Sequence, residues 1–104
     1  MEPLDYNGFL KTLEEGNPSE KWPASLRSLW FDAQGNWEAS HNIAQDIHDN
    51  TGSWIHAYLH RKEGDDWNAG YWYGKADRPF PKISLGEEFK QLVLFVLETD
   101  FPKQ

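Results

Sequence analysis

Cysteine is absent from the chain. That excludes disulfides, thiol catalysis and cysteine-ligated zinc, and it suits a reducing compartment. Long apolar runs are absent as well. The longest, LVLFVL at 92–97, has six residues, where a membrane span needs about 20. Basic residues are few: ten stand against 17 acidic ones, a formal net charge of −7. An acidic surface repels phosphate backbones, and no Lys/Arg cluster overrides it, so no nucleic-acid partner is expected. The opening MEPLDYNGFLKTLEEG lacks both the basic start and the apolar stretch of a signal peptide. These absences lead to the expectation of a soluble, cytoplasmic protein with no membrane partner.

The chain does have aromatic residues, at 15% of its 104 positions, six of them Trp. Each buries roughly 150–250 Å², which helps a small chain build a core. One domain over 1–104 is expected.

The apolar spacing is helical throughout. Tyr6, Phe9, Leu10 and Leu13 recur at the spacing of one helix face, and Gly16-Asn17-Pro18 stops that helix. Pro23 fits the first turn of a second helix, lined by Leu26, Leu29, Trp30 and Ala33. Gly35 then reads as a stop and Asn36 as a cap. A third helix is expected over about Trp37 to Asp49, with Ala39, Ile43 and Ile47 on one side. Asn50-Thr51-Gly52-Ser53 reads as the next break, with Ser53 capping a fourth helix from Trp54 to Glu63. A fifth helix is expected over Asp66 to Ala76. The sixth opens with the capping-box pattern Ser84-Leu85-Gly86-Glu87 and carries Phe89, Leu92, Val93, Val96 and Leu97. A buried strand at 92–97 is the rival reading, but no other segment alternates clearly enough to pair with it.

The fold class expected is therefore all-α: about six short helices, arranged as antiparallel hairpins under a covering C-terminal helix. Gly35-Asn36-Trp37-Glu38-Ala39 resembles Gly64-Asp65-Asp66-Trp67-Asn68-Ala69, about 29 residues on. This looks like two copies of a helix hairpin, as in tetratricopeptide-type repeats. The alternative is that any two helix hairpins need a Gly stop and a polar cap.

The candidate chemistry lies on two polar stripes. Glu38, His41, Gln45 and His48 are spaced 3, 4 and 3; His56, His60 and Glu63 are spaced 4 and 3. Folding the chain about residue 52 sets His48 near His56, Gln45 near His60, and His41 near Glu63. All four histidines then lie along one seam. One reading is a divalent metal held by Glu38, His41, His56, His60 and Glu63. A His pair at i, i+4 can ligate one ion, and Glu38-x-x-His41 resembles the Glu-x-x-His element of di-iron bundles. The second such element is missing, and His56-Ala-Tyr-Leu-His60 lacks the Glu that follows the first His in zinc proteases. Other readings are a polar pocket without metal, a solvated polar face, and acid–base chemistry by a His beside Glu63 or Asp49. No nucleophile has an activated context, since Ser40 and His41 are adjacent and do not face each other on a helix. Gly70-Tyr71-Trp72-Tyr73-Gly74 sends its aromatics in three directions. Tyr71, Trp72 or Tyr73 can line a cleft beside the seam, with Arg61 and Asn68 orienting a ligand.

The run WIHAYLHRKEGDDWNAGYWYGKA at 54–76 is similar to a family of small uncharacterised bacterial proteins that share HAYLHR-x-EGD-x-x-NA-x-YWY. The matching positions are His56, Ala57, Tyr58, Leu59, His60, Arg61, Glu63, Gly64, Asp65, Asn68, Ala69, Tyr71, Trp72 and Tyr73. Basic residues are expected after the YWY; here Gly74 intervenes before Lys75. The resemblance implies a bacterial origin and no particular activity. Three functions stay open. One is a binding module whose cleft of His41, His48, His56, His60, Arg61, Glu63, Asn68, Tyr71 and Trp72 holds a small ligand or peptide, with no cofactor. The others are a metal-binding protein or metal enzyme using the same histidines, and a scaffold that pairs through exposed aromatics.

Overall fold

The computed structural model describes residues 4–100; the first three residues of the opening read above lie outside it. Its six helices are α1 (Tyr6–Thr12), α2 (Ala24–Ala33), α3 (Trp37–Ala44), α4 (Asn50–Lys62), α5 (Asp66–Lys75) and α6 (Leu85–Thr99). There is no strand among the described residues, and 92–97 lies within α6. No helix among them is long and apolar enough to cross a membrane.

The helix ends follow local rules. Gly35 and Gly64 take φ of 83° and 88°, a left-handed conformation that costs glycine little. Behind them, Asn36 N–H donates to the Phe31 carbonyl and Asp65 N–H to the His60 carbonyl. Each chain then turns directly into the next helix. The Asn36 side chain accepts from Ala39 N–H, and the Asp65 side chain accepts from Asn68 N–H. The two hairpins, α2–α3 and α4–α5, thus share one stop-and-cap geometry and are the most extensive helix pairs. Ser84 caps α6 by accepting from Glu87 N–H, as its capping box predicts. Pro23 stands one position outside α2, as its N-cap.

The α3–α4 junction departs from expectation. α3 ends at Ala44 rather than Asp49, and α4 begins at Asn50, capped by Asp49 rather than Ser53. Residues 45–47 tighten into a short turn whose N–H groups reach back to His41, Ile43 and Ala44 carbonyls. Gly52, expected in a break, lies inside α4. It is there for space: a Cβ on Gly52 would meet the Ile47 carbonyl oxygen at 2.0 Å. The turn packs directly on the α4 backbone. Gly52→Ala is therefore expected to destabilise the chain by about 1–3 kcal/mol, since backbone must move. Urea unfolding checks this; a midpoint equal to wild type would show that the turn yields at no cost.

The core joins α1, α2, α4 and α6 through Phe9, Leu26, Leu29, Ile55, Leu59, Leu92, Val93 and Val96, all 0% exposed. Ala33, on the expected apolar stripe of α2, faces outward, as does Leu94 beside the stripe of α6. α3 buries Ser40 and Ala44 rather than Ile43 and Ile47, which are half-buried. Ser40 is inside because its hydroxyl and carbonyl meet the buried Ser28 hydroxyl, and a buried polar group needs such partners.

Two buried carboxylates tie the α4–α5 hairpin to its neighbours, α2 and α6. Asp32 on α2 accepts from Tyr58 Oη at 2.7 Å and from Lys62 Nζ at 2.9 Å. Glu88 on α6 accepts from Trp54 Nε1, Tyr73 Oη and Arg61 Nη1. Burial, before the neighbouring carboxylates, pushes both tyrosine hydroxyls up, so they stay protonated donors.

Candidate functional site

α3 and α4 bring three histidines together. His56 and His60 stand one turn apart on α4, and His41 approaches from α3. His41 Nε2 lies 3.0 Å from His56 Nε2. One nitrogen from each of the three rings falls within 4.8 Å of the other two. His60 Nδ1 is bonded to Glu63 Oε2 at 2.7 Å, so its Nε2 is the nitrogen left for the cluster.

Aromatic rings clamp the cluster from both sides. Trp37 stacks on His41 with ring centroids 4.8 Å apart, and Trp72 stacks on His56 at 3.9 Å. Trp37 is anchored in turn, because its Nε1 donates to the Leu59 carbonyl at 2.8 Å. His56 is buried and His41 half-buried. Burial, reinforced by the His41 and His60 rings, lowers the His56 pKa from 6.5 to about 4. Burial and then His60 also lower His41, against an opposing pull from Glu63. At neutral pH both rings are free bases. Their short contact is then one Nε2–H donating to the other's lone pair.

The pairing differs from the seam expected. The α3–α4 turn pivots near residues 48 and 49, not 52, so His41 meets His56 and His60 rather than Glu63. His48 falls on the turn itself, exposed and apart from the trio. Glu38 and Gln45 are exposed and take no part in the cluster. Glu63 stands behind His60 as its carboxylate partner. Arg61 is turned away, bonded to Glu88 and the Ile83 carbonyl. Asn68 is committed to the α5 cap, with Nδ2 donating to Asp65 Oδ2 at 2.6 Å. That bond, ahead of the backbone one, lowers the Asp65 pKa. Tyr71 is 53% exposed, and Tyr73 is buried on Glu88.

A cleft of about 340 Å³ adjoins the trio, lined by Gln45, His48, Ser53, His56, Trp72 and Lys75 among others. It lies within the size range of small-ligand sites. Lys75 spans its rim, with Nζ 5.6 Å from the Trp72 ring centre. Trp37 is not among the candidates the sequence offers, and Lys75 enters there only as the basic residue behind the YWY run. Trp37 carries a signal in retrospect: it precedes His41 by one helical turn and shares its face. Lys75 bears a similar relation to Trp72.

The donor set suits a transition metal. Imidazole nitrogens bind Zn, Cu, Fe and Ni. Zinc bonds of about 2.0–2.1 Å put tetrahedral nitrogens roughly 3.3 Å apart. The His41–His56 separation is already close to that, and the third ring has at most about 1.5 Å to close. A second group, His60, Glu63 and Asp65, shares His60. It is less suited, because the Asp65 carboxylate is held by Asn68. No family model, curated protein or solved structure matches this chain.

Proposed function

We propose that this chain is a small helical binding module that holds one divalent transition-metal ion on His41, His56 and His60. The observation that supports this most directly is the convergence of three ring nitrogens within 4.8 Å. Glu63 strengthens the reading. A metal-ligating His commonly gives its other ring N–H to a carboxylate, which fixes its tautomer and raises its basicity, and His60 Nδ1 has that partner at 2.7 Å. The stacked Trp37 and Trp72 hold two of the three rings in place. Three protein ligands leave a fourth position open to water or another ligand. The two hairpins are read here as two copies of one unit, the histidines coming from the second helix of one and the first of the next.

The test is a titration of untagged, chelator-treated protein with Zn²⁺, followed by calorimetry and tryptophan fluorescence. One ion per chain is expected, with a dissociation constant of about micromolar or tighter. His41→Ala and His60→Ala each weaken it by at least about tenfold, while His48→Ala leaves it alone. Glu63→Gln costs about 10–100-fold. Millimolar affinity, or equal affinity in His60→Ala, would rule the metal out.

A further inference from the structure

The two ring nitrogens of His56 serve different places. Nε2 points to His41. Nδ1 has no hydrogen-bond partner among the described residues, and the ring lines the cleft below α5. If Nε2 binds a metal, Nδ1 must carry the proton, and that N–H then needs an acceptor. His60 has Glu63 for this purpose; His56 has no protein carboxylate bonded to it. Asp49 is the cleft's own acidic residue, and its Oδ1 is taken by Gly52 N–H at 2.9 Å.

The cleft is furnished for an external acceptor. Lys75 supplies a cation at its rim. The first turn of α4, a helix of 13 residues, forms part of its wall through Asn50, Gly52 and Ser53. The Gly52 and Ser53 N–H groups are taken by Asp49, and the Asn50 N–H at the start of that turn adds partial positive charge. Trp72, Ala44 and Ile47 supply an apolar surface. We infer that this cleft takes a small carboxylic acid, whose carboxylate accepts the Nδ1–H of metal-bound His56 and pairs with Lys75, its apolar body lying on Trp72. The inference rests on the metal reading and extends it: the bound acid completes for His56 the outer carboxylate that Glu63 provides for His60. Metal and acid then bind with positive coupling, each tightening the other by the same factor.

The full-length protein is titrated with Co²⁺ in a non-coordinating buffer, with millimolar acetate, benzoate or, as an ionic-strength control, chloride. Benzoate and acetate are expected to tighten Co²⁺ binding about tenfold, and chloride not at all. Lys75→Gln, at an exposed position, loses the enhancement. The visible bands of the bound Co²⁺ keep their positions when the acid is added, because the acid touches His56 and not the metal. Co²⁺ binding unchanged by either acid overturns this inference and leaves the metal reading standing. So does an undiminished enhancement in Lys75→Gln, or a shift of the bands that signals direct ligation. Failure of Co²⁺ and Zn²⁺ to bind at all overturns both.

Discussion

Glu88→Ala is expected to lower stability by about 3–5 kcal/mol, the usual cost of stripping one partner from a buried charged pair. Chains of this size have roughly 5–15 kcal/mol in total, so a measurable unfolded population follows. Glu88 is 1% exposed. Its Oε2 accepts from Trp54 Nε1 at 3.1 Å and Tyr73 Oη at 2.6 Å, and its Oε1 accepts from Arg61 at 2.8 Å. All three partners are donors arriving from α4 and α5. Removing the carboxylate leaves an indole N–H and a hydroxyl without an acceptor, and a cationic guanidinium with only the Ile83 carbonyl. Arg78 is packed alongside, 3.4 Å above the Trp54 ring. Burial lowers its pKa against the pull of Glu88, so losing Glu88 also removes the carboxylate that favours the Arg78 cation. Glu88→Gln is diagnostic. It preserves the shape but replaces one acceptor oxygen with a donor NH₂, and three donors cannot share what remains. Urea midpoints for wild type, Glu88→Gln and Glu88→Ala measure the effect. A loss under about 1 kcal/mol in Glu88→Ala would show that the three donors find other acceptors.

Acid is expected to destabilise the metal-free chain by about 2–3 kcal/mol through His56 alone. In the unfolded chain His56 takes up its proton near its ordinary value of 6.5; in the folded chain it resists until about 4. Between those values the unfolded state binds more protons, so stability falls as pH falls. The contribution is whole above about pH 6.5 and gone below about pH 4. At about 1.36 kcal/mol per unit of pKa the shift corresponds to roughly 3 kcal/mol. His41 is lowered as well and adds with the same sign. Because the two rings share a hydrogen bond, they titrate as a pair. Unfolding free energies measured through this range in the presence of a chelator give the slope. His56→Leu removes most of it, since a neutral apolar side chain takes up no proton in either state. A variant with the wild-type slope would place the pH dependence elsewhere. Bound Zn²⁺ steepens the wild-type slope, because it needs the imidazoles unprotonated.

Much of the fold is legible in the residue order. A glycine followed by Asn or Asp stops one helix and caps the next at Gly35-Asn36 and Gly64-Asp65. The Ser84 to Glu87 pattern starts the last helix where it should. These signals work because each involves groups within a few residues of one another. The apolar spacing of α2 and α6 likewise identifies Leu26, Leu29, Trp30, Leu92, Val93, Val96 and Leu97 as buried.

The site is legible only as a set of candidates. His56, His60 and Glu63 share a stripe by helical geometry alone, and the i, i+3 bond of His60 to Glu63 follows from it. Which residues of α3 meet that stripe depends on where the chain turns. Expected at residue 52, the pivot sits near 48 and 49 because the Ile47 carbonyl packs on the bare backbone of Gly52. Moving the pivot by a few residues exchanges His48 for His41 opposite His56. The stacking of Trp37 and Trp72 depends on the same packing, as does the position of Lys75 at the cleft.

By themselves, then, the residues determine an all-helical chain, its stops and caps, and one His-His-Glu stripe, all through interactions that span a turn or less. Tertiary structure alone decided that His41 completes the trio, that His48 is left on the turn, and that Glu88 gathers three donors from two other helices. Those outcomes depend on how close two backbones can come and on which buried donors lack an acceptor, neither of which is encoded within one helix.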